Sequence, residues 1–493
     1  MALLKPSSSP FPERAVATGA PPGASHPARL RHPMPSTGGR RPALRTPDAL
    51  LYAVALMTAT YVWRIQDLFP VLGSMKINLL AAVASFGLVL MDRDPARRVA
   101  RVRTPIVICA LSLIALSILG LPTSLWPRNS AMFLLTGLVP NVVLMILVAM
   151  SVRGMNDLRW LAIVNVIGAC LYSLFVLVTF DGGAGRLGNL IYYDSNDLAL
   201  VLVCTIPFAI LLLVGGGRTH HLLALGSLLL ITTTLVKTGS RGGFLGLVAV
   251  VAYLLVAFRA IPRRVRILAV AGAFAGISVL AGEEYWSSIR SLGDPAQDYN
   301  WSGMSTEGRM EVWKRGLGYL AAHPVLGVGL RNFTIAEGTL SEESRSRAER
   351  GSGFKWSTAH NSFLEVAVEL GVLGLACFIG MFASAIRALG RIKSPTSRPH
   401  ASRQSTSSPR PEPVSIAAVA VASALTASLV GFIVCGFFVS AAYLSFLYVV
   451  LGMTIGLVKV GRATHLHPTR LARPMVPAPV PTRIPRSIRA GRR

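Results

Sequence analysis

Apolar runs of roughly 16 to 24 residues alternate with short polar joints along most of the chain, and the alternation breaks once, between Glu283 and Ala359, where about seventy-five residues are mostly polar. A helix rising 1.5 Å per residue needs about 20 apolar residues to cross the ~30 Å hydrocarbon layer of a bilayer. The pattern therefore predicts an all-α protein: a polytopic transmembrane helical bundle of about twelve spans, with one large loop carrying amphipathic helices. The spans are expected near 49–63, 76–91, 105–121, 131–150, 158–180, 197–214, 221–236, 242–258, 266–282, 362–386, 414–438 and 440–459. Within the loop, Met310, Trp313, Leu317 and Leu320 recur at helical spacing and predict a surface helix opened by Arg309 and closed by His323-Pro324.

Composition agrees with this reading, since 52% of residues are hydrophobic and only 14% charged. A net charge of +27 would suggest nucleic acid in a soluble chain, but here the cations collect in alternate joints: Arg93, Arg97, Arg98, Arg101 and Arg103 in one, Arg259, Arg263, Arg264 and Arg266 in another. That distribution is a topology signal. It places both termini in the cytoplasm and the large loop 283–359 on the far side of the membrane, with membrane lipid and not nucleic acid as the partner of the basic tails. Residues 1–47 and 460–493 read as disordered basic tails, and Ser/Pro-rich residues 393–413 as a linker dividing a membrane body, 48–392, from a final hairpin, 414–459. Arg40-Arg41 precedes an apolar run without a small-residue cleavage site, so Ala49 onward reads as an anchor and not a signal. All five cysteines fall in expected spans, and neither a metal-ligand spacing nor a cofactor motif is present, so no cofactor is expected.

Several polar residues gather where the spans meet the loop side. In Lys237-Thr238-Gly239-Ser240-Arg241-Gly242-Gly243, two spans join with almost no loop, which sets Arg241 at the membrane boundary, either snorkelling or holding an anion. Arg309 either stacks on Trp313 or supplies a second guanidinium, and Arg331, after Gly327-Val328-Gly329, is a third. His360 and Asn361 precede Ser362-Phe363-Leu364-Glu365, which fits a capping box with Ser362 as N-cap. On that reading Glu365 has a structural role. Glu369, one turn deeper in an apolar helix, has none and is expected to orient a group or pair with an arginine. Arg186, with the insert Tyr192-Tyr193-Asp194-Ser195-Asn196, is expected on the same side, where Asp194, Ser195 or Asn196 could cap the next helix.

Guanidinium forks bind diphosphate oxygens bidentately and stabilise charge on a departing diphosphate, and a neutral imidazole can take a hydroxyl proton. With that chemistry in view, the stretches TGSRGGFLGL at Thr238–Leu247, GRMEVWKRGLGYLAAHPVLGVGLRNF at Gly308–Phe333 and AHNSFLEVAVELGVLG at Ala359–Gly374 resemble the O-antigen ligase and O-antigen polymerase superfamily of bacterial envelope glycan transferases. The resemblance covers mainly residues 185–385. It implies a multi-pass protein of the cytoplasmic (inner) membrane with a periplasmic active loop, acting as a metal-independent, inverting glycosyltransferase on a polyprenyl-pyrophosphate-linked glycan. The acceptor would be a hydroxyl on lipid A-core, a growing glycan or another molecule. Arg241 and Arg309 would hold the pyrophosphate and His360 would be the base or position the acceptor, with Arg186, Asn196, Arg331, Asn361 and Glu369 lining the substrate site. Ligase is the leading expectation, an O-antigen or exopolysaccharide polymerase the second, and a lipid-linked glycan transporter or flippase the third.

Overall fold

The computed structural model describes residues 49–179, 187, 192–214, 216–258, 261–294, 298–302, 305, 308–351, 356–393 and 413–466. Residues 1–47, the interior of the linker and 467–493 lie outside that set, and so does Arg186. Among the described residues the structure is helical, with no strand. The main helices are α1 (Ala49–Tyr61), α2 (Ile77–Met91), α3 (Pro105–Leu119), α4 (Pro127–Ser151), α5 (Met155–Thr179), α6 (Ser195–Leu212), α7 (Arg218–Lys237), α8 (Arg241–Ala257) and α9 (Arg263–Leu280). After them come α10 (Glu283–Arg290), α11 (Arg309–Ala322), α12 (Phe333–Thr339), α13 (Glu342–Glu349), α14 (Ser362–Lys393), α15 (Pro413–Gly436) and α16 (Ser445–Leu466).

A helix occupies each of the twelve segments expected to span. Seven of them, α4 to α7 and α14 to α16, are long and apolar enough to cross a membrane, while α1, α2, α3 and α8 are apolar but shorter. Large apolar side chains such as Leu222, Leu225 and Leu229 on α7 are more than half exposed, as befits a surface whose solvent is lipid. Residues 460–466, expected to begin a tail, instead continue α16.

The final hairpin is set off in sequence but not in space. α6, 83% buried, is the innermost helix, and it packs against α15, which also lies along α8 and α14; α16 packs along α4. Small residues permit these approaches. A Cβ at Gly452 or Gly456 of α16 would stand 2.6–2.9 Å from Met145 or Val148 of α4 or from Val152 just after it, a small-xxx-small contact that lets two helices close without a hydrophobic driving force between them.

At the end of the bundle away from the 283–359 segment, cations terminate helices. Lys459 Nζ donates to Ala149 O (2.8 Å) and Met150 O (3.1 Å), and Arg97 to Ser151 O (3.3 Å), at the last turn of α4; Arg266 does the same for Leu254 and Leu255 of α8 (3.0 and 2.6 Å). These carbonyls stand where the helical ladder runs out, so each cation answers last-turn acceptors and the negative end of a helix dipole together, Leu254 O sharing Arg266 with Phe258 N–H (3.2 Å).

Candidate active site

The site is built on a broken helix. Gly371 (φ +69°, ψ −173°) interrupts α14, so the continuous span expected at 362–386 is two helical pieces. The segment before α12 threads the break: Val328 N–H donates to Val368 O (2.9 Å), Gly329 N–H to Glu369 O (3.0 Å), and Val372 N–H, released from α14, donates to Pro324 O (2.8 Å). The freed helix groups are thus satisfied by another strand of chain. Gly327 and Gly371 both have left-handed φ, and a Cβ on either would strike the backbone of the other segment.

The first turn of α14 corrects the capping-box expectation. Asn361 is the cap, its Oδ1 accepting from Phe363 N–H (2.9 Å) and Leu364 N–H (3.0 Å). Ser362 turns away, donating to Val439 O (2.7 Å) and accepting from Ala441 N–H (2.9 Å) in the α15–α16 connection. Glu365 is buried beside that connection, 3.4 Å from Ala442 N and 3.6 Å from Arg331 Nη1. Glu369 is the residue with the full structural role. Its carboxylate, on a residue 1% exposed, accepts from Arg331 N–H (2.8 Å), Phe333 N–H (3.2 Å) and the Tyr443 hydroxyl (2.9 Å). It holds the 331–333 turn directly.

Arg241 opens α8 behind Ser240, whose Oγ caps the helix at Gly243 N–H (3.1 Å) and donates to Asn196 Oδ1 (2.9 Å). Asn196 stands in the first turn of α6, which Asp194 caps through two bonds of 2.7 Å. The guanidinium of Arg241 pairs with Asp298 and donates to Ser291 Oγ (3.0 Å). Burial works to raise the carboxyl pKa of Asp298, but the hydrogen bond and charge of Arg241 together with the Asn300 amide bring it below the usual carboxylate range.

Arg309 begins α11 next to the same turn, for Asn300, whose N–H donates to Asp298 (2.8 Å), receives Met310 N–H on its carbonyl (3.0 Å). The buried face of α11 differs from the expected one: Val312, Gly316 and Tyr319 face inward, while Leu317 is 57% exposed. Gly316 allows the approach to Leu364 and Phe333, and Tyr319 donates to Glu337 (2.9 Å). Glu337 also receives the Arg315 fork at 2.6–3.2 Å. Burial alone would lower the pKa of Arg315, but this pairing raises it.

Trp313 links α11 to the histidine. Its indole N–H donates to Ala359 O (2.8 Å), next to His360, which has φ +46° and its Nε2 3.1 Å from Thr358 Oγ1. The Trp313 ring packs edge-on against Trp301 and Phe437 (5.3 Å each); Phe437 meets Phe438 at 5.4 Å, and Phe438 meets Trp301 at 6.5 Å. Phe438 also lies where a Cβ at Gly242 would touch it (3.0 Å). A closed aromatic ring thus connects the starts of α8 and α11 to the chain at His360.

Sequence reading did not single out Asp298, Tyr443 or the Phe437-Phe438 pair. A Phe-Phe between two apolar runs was the one visible signal. A search of curated proteins finds no match to the chain. Residues 226–379 match the family model described as O-antigen ligase, and the match spans Arg241, Arg309, Arg331, His360 and Glu369 but stops before the α15–α16 connection. Over that segment, less than half of its length, the chain is similar to the O-antigen ligase family, which implies glycosyl transfer in general, and its long apolar helices point to a membrane protein.

Proposed function

We propose that the protein is an O-antigen ligase-like transferase that moves a glycan from a polyprenyl diphosphate to an acceptor hydroxyl on the outer face of the cytoplasmic membrane. One observation carries the reading: Arg241, Arg309 and His360 stand at one end of the bundle, joined by the Asp298–Asn300 turn and the ring of Trp301, Trp313, Phe437 and Phe438. Arg241 and Arg309 hold the diphosphate. His360 takes the proton as the acceptor oxygen attacks the anomeric carbon, and the bond from that carbon to the phosphate oxygen breaks, leaving the diphosphate on its lipid. A single displacement inverts the anomeric centre, and two guanidiniums neutralise the leaving group without calling on a metal ion.

The cations at the opposite end of the bundle support a cytoplasmic placement of that end and an outward active end. The test is the surface-glycan profile, resolved by length, of a strain lacking the chain and complemented with wild type or His360→Ala. Loss of long glycan from its acceptor, with polymer accumulating on the lipid carrier, supports a ligase. Acceptors carrying single repeats would make it a polymerase. Normal transfer by His360→Ala would remove the proposed base.

A further inference from the structure

Arg331 has φ +62°, a left-handed conformation that a residue with a side chain keeps only when its surroundings impose it. Here every neighbour of the turn imposes it. Besides the two N–H bonds to Glu369, Arg331 O accepts from Asn129 Nδ2 (3.0 Å) and Leu330 O from Ser130 Oγ (2.8 Å). Asn332, fully buried, donates to Ser124 Oγ (2.7 Å) and accepts from Asn129 Nδ2 (2.9 Å). The Arg331 side chain is held less closely than its backbone. It is 52% exposed, lies over the Phe133 ring at 5.2 Å, and meets Glu365 at 3.6 Å, beyond hydrogen-bonding distance.

We infer that Glu369 and Tyr443 are positioning residues that clamp the 330–333 turn so that Arg331 presents its guanidinium to the donor diphosphate, making the α15–α16 connection part of the binding site. The inference rests on the donor reading above. Its physical basis is that a fork binds phosphate bidentately only from a fixed direction, and a left-handed backbone locked at both its N–H and its carbonyl supplies that direction. The Tyr443 hydroxyl, arriving from 74 residues away, donates to the same Glu369 oxygen that receives Arg331 N–H. That oxygen is the hinge of the clamp.

A double-mutant cycle on the full chain in lipid nanodiscs, with farnesyl diphosphate as probe, separates positioning from general support. Arg331→Ala is expected to weaken binding about 10- to 100-fold, as for a hydrogen bond to a charged group. Tyr443→Phe and Glu369→Gln are expected to weaken it about 3- to 10-fold. Adding Tyr443→Phe to Arg331→Ala should cost nothing more, because the clamp acts only through Arg331. If the two effects multiply, or if Tyr443→Phe binds as wild type does, the clamp is refuted while the donor reading stands. Absence of binding by wild type would overturn the donor reading and take this assignment of Arg331 with it.

Discussion

Removing the guanidinium of Arg315 should open the segment that carries Arg309 while leaving the bundle intact. Arg315 reaches Glu337 through contacts of 2.6, 3.0 and 3.2 Å, and the Glu337 side chain is only 2% exposed. After Arg315→Ala that carboxylate keeps the Tyr319 hydroxyl and loses its counter-charge. Breaking a buried pair by deleting one partner costs about 3–5 kcal/mol, mostly from the charge left behind. Val312, Tyr319, Phe333 and Ala336 belong to a small hydrophobic cluster apart from the main core, completed by Leu364 and Val368 of α14, so the cost falls on local opening. Protection of amides in α11 and α12 against hydrogen exchange should drop about a hundred- to a few-thousand-fold, at 1.4 kcal/mol per factor of ten. Replacing both partners, Arg315→Met with Glu337→Leu, should restore most of the protection, since a well-packed apolar pair matches a buried ion pair. Unchanged protection in the single variant, or equal loss in the double, would show that the pair does not hold this unit together.

Other outcomes follow from the same contacts. Asn361→Ala should cost about 1 kcal/mol of stability in thermal unfolding and Asn361→Asp much less, because both Asn and Asp cap; equal costs would return the cap to Ser362. Ser362→Ala should cost about 1–3 kcal/mol by stranding Val439 O and Ala441 N–H, and a variant as stable as wild type would deny that link. Gly452→Val should destabilise by about 1–3 kcal/mol through collision with α4, whereas Gly461→Ala, where an added Cβ meets nothing within 4 Å, should be silent; matching melting curves would refute the close packing. The carboxyl of Asp298 is held below its usual range, so its contribution is complete above the ordinary carboxylate pKa of about 3.9 and fades as pH falls through the lowered value. Emission from Trp301 should therefore stay constant down to about pH 5, and a change between about pH 5 and 6 would contradict the pairing.

Periodicity located every major apolar helix because span length and hydropathy are local properties. The break at Gly371 was invisible for the complementary reason: a glycine in an apolar run looks like a packing residue until another segment is seen bonding through it. Ser362 and Glu365 satisfy the local capping rule, but both are claimed by backbone groups about 77 residues away, and Asn361 takes the cap. Glu369 was legible as a buried acid that orients a group or pairs with an arginine, but its partners, two backbone amides and a tyrosine, are assembled only by the fold. Arg241 was legible as lying in the short joint between two apolar helices and Arg309 as opening a helix, whereas Asp298, 57 residues from Arg241 in a polar stretch without period, carried no local sign of its partner.

The α15–α16 connection also sets an order of events during synthesis. Ser362, Glu365 and Glu369 emerge long before residues 439–443, so until α15 and α16 are in place these three buried groups lack the partners that the α15–α16 connection gives them. A chain arrested before Gly436 would carry every residue of the matched family segment and still present an unfinished site. Under the proposed function, competence to use the donor would then arrive only when the α15–α16 connection is in place.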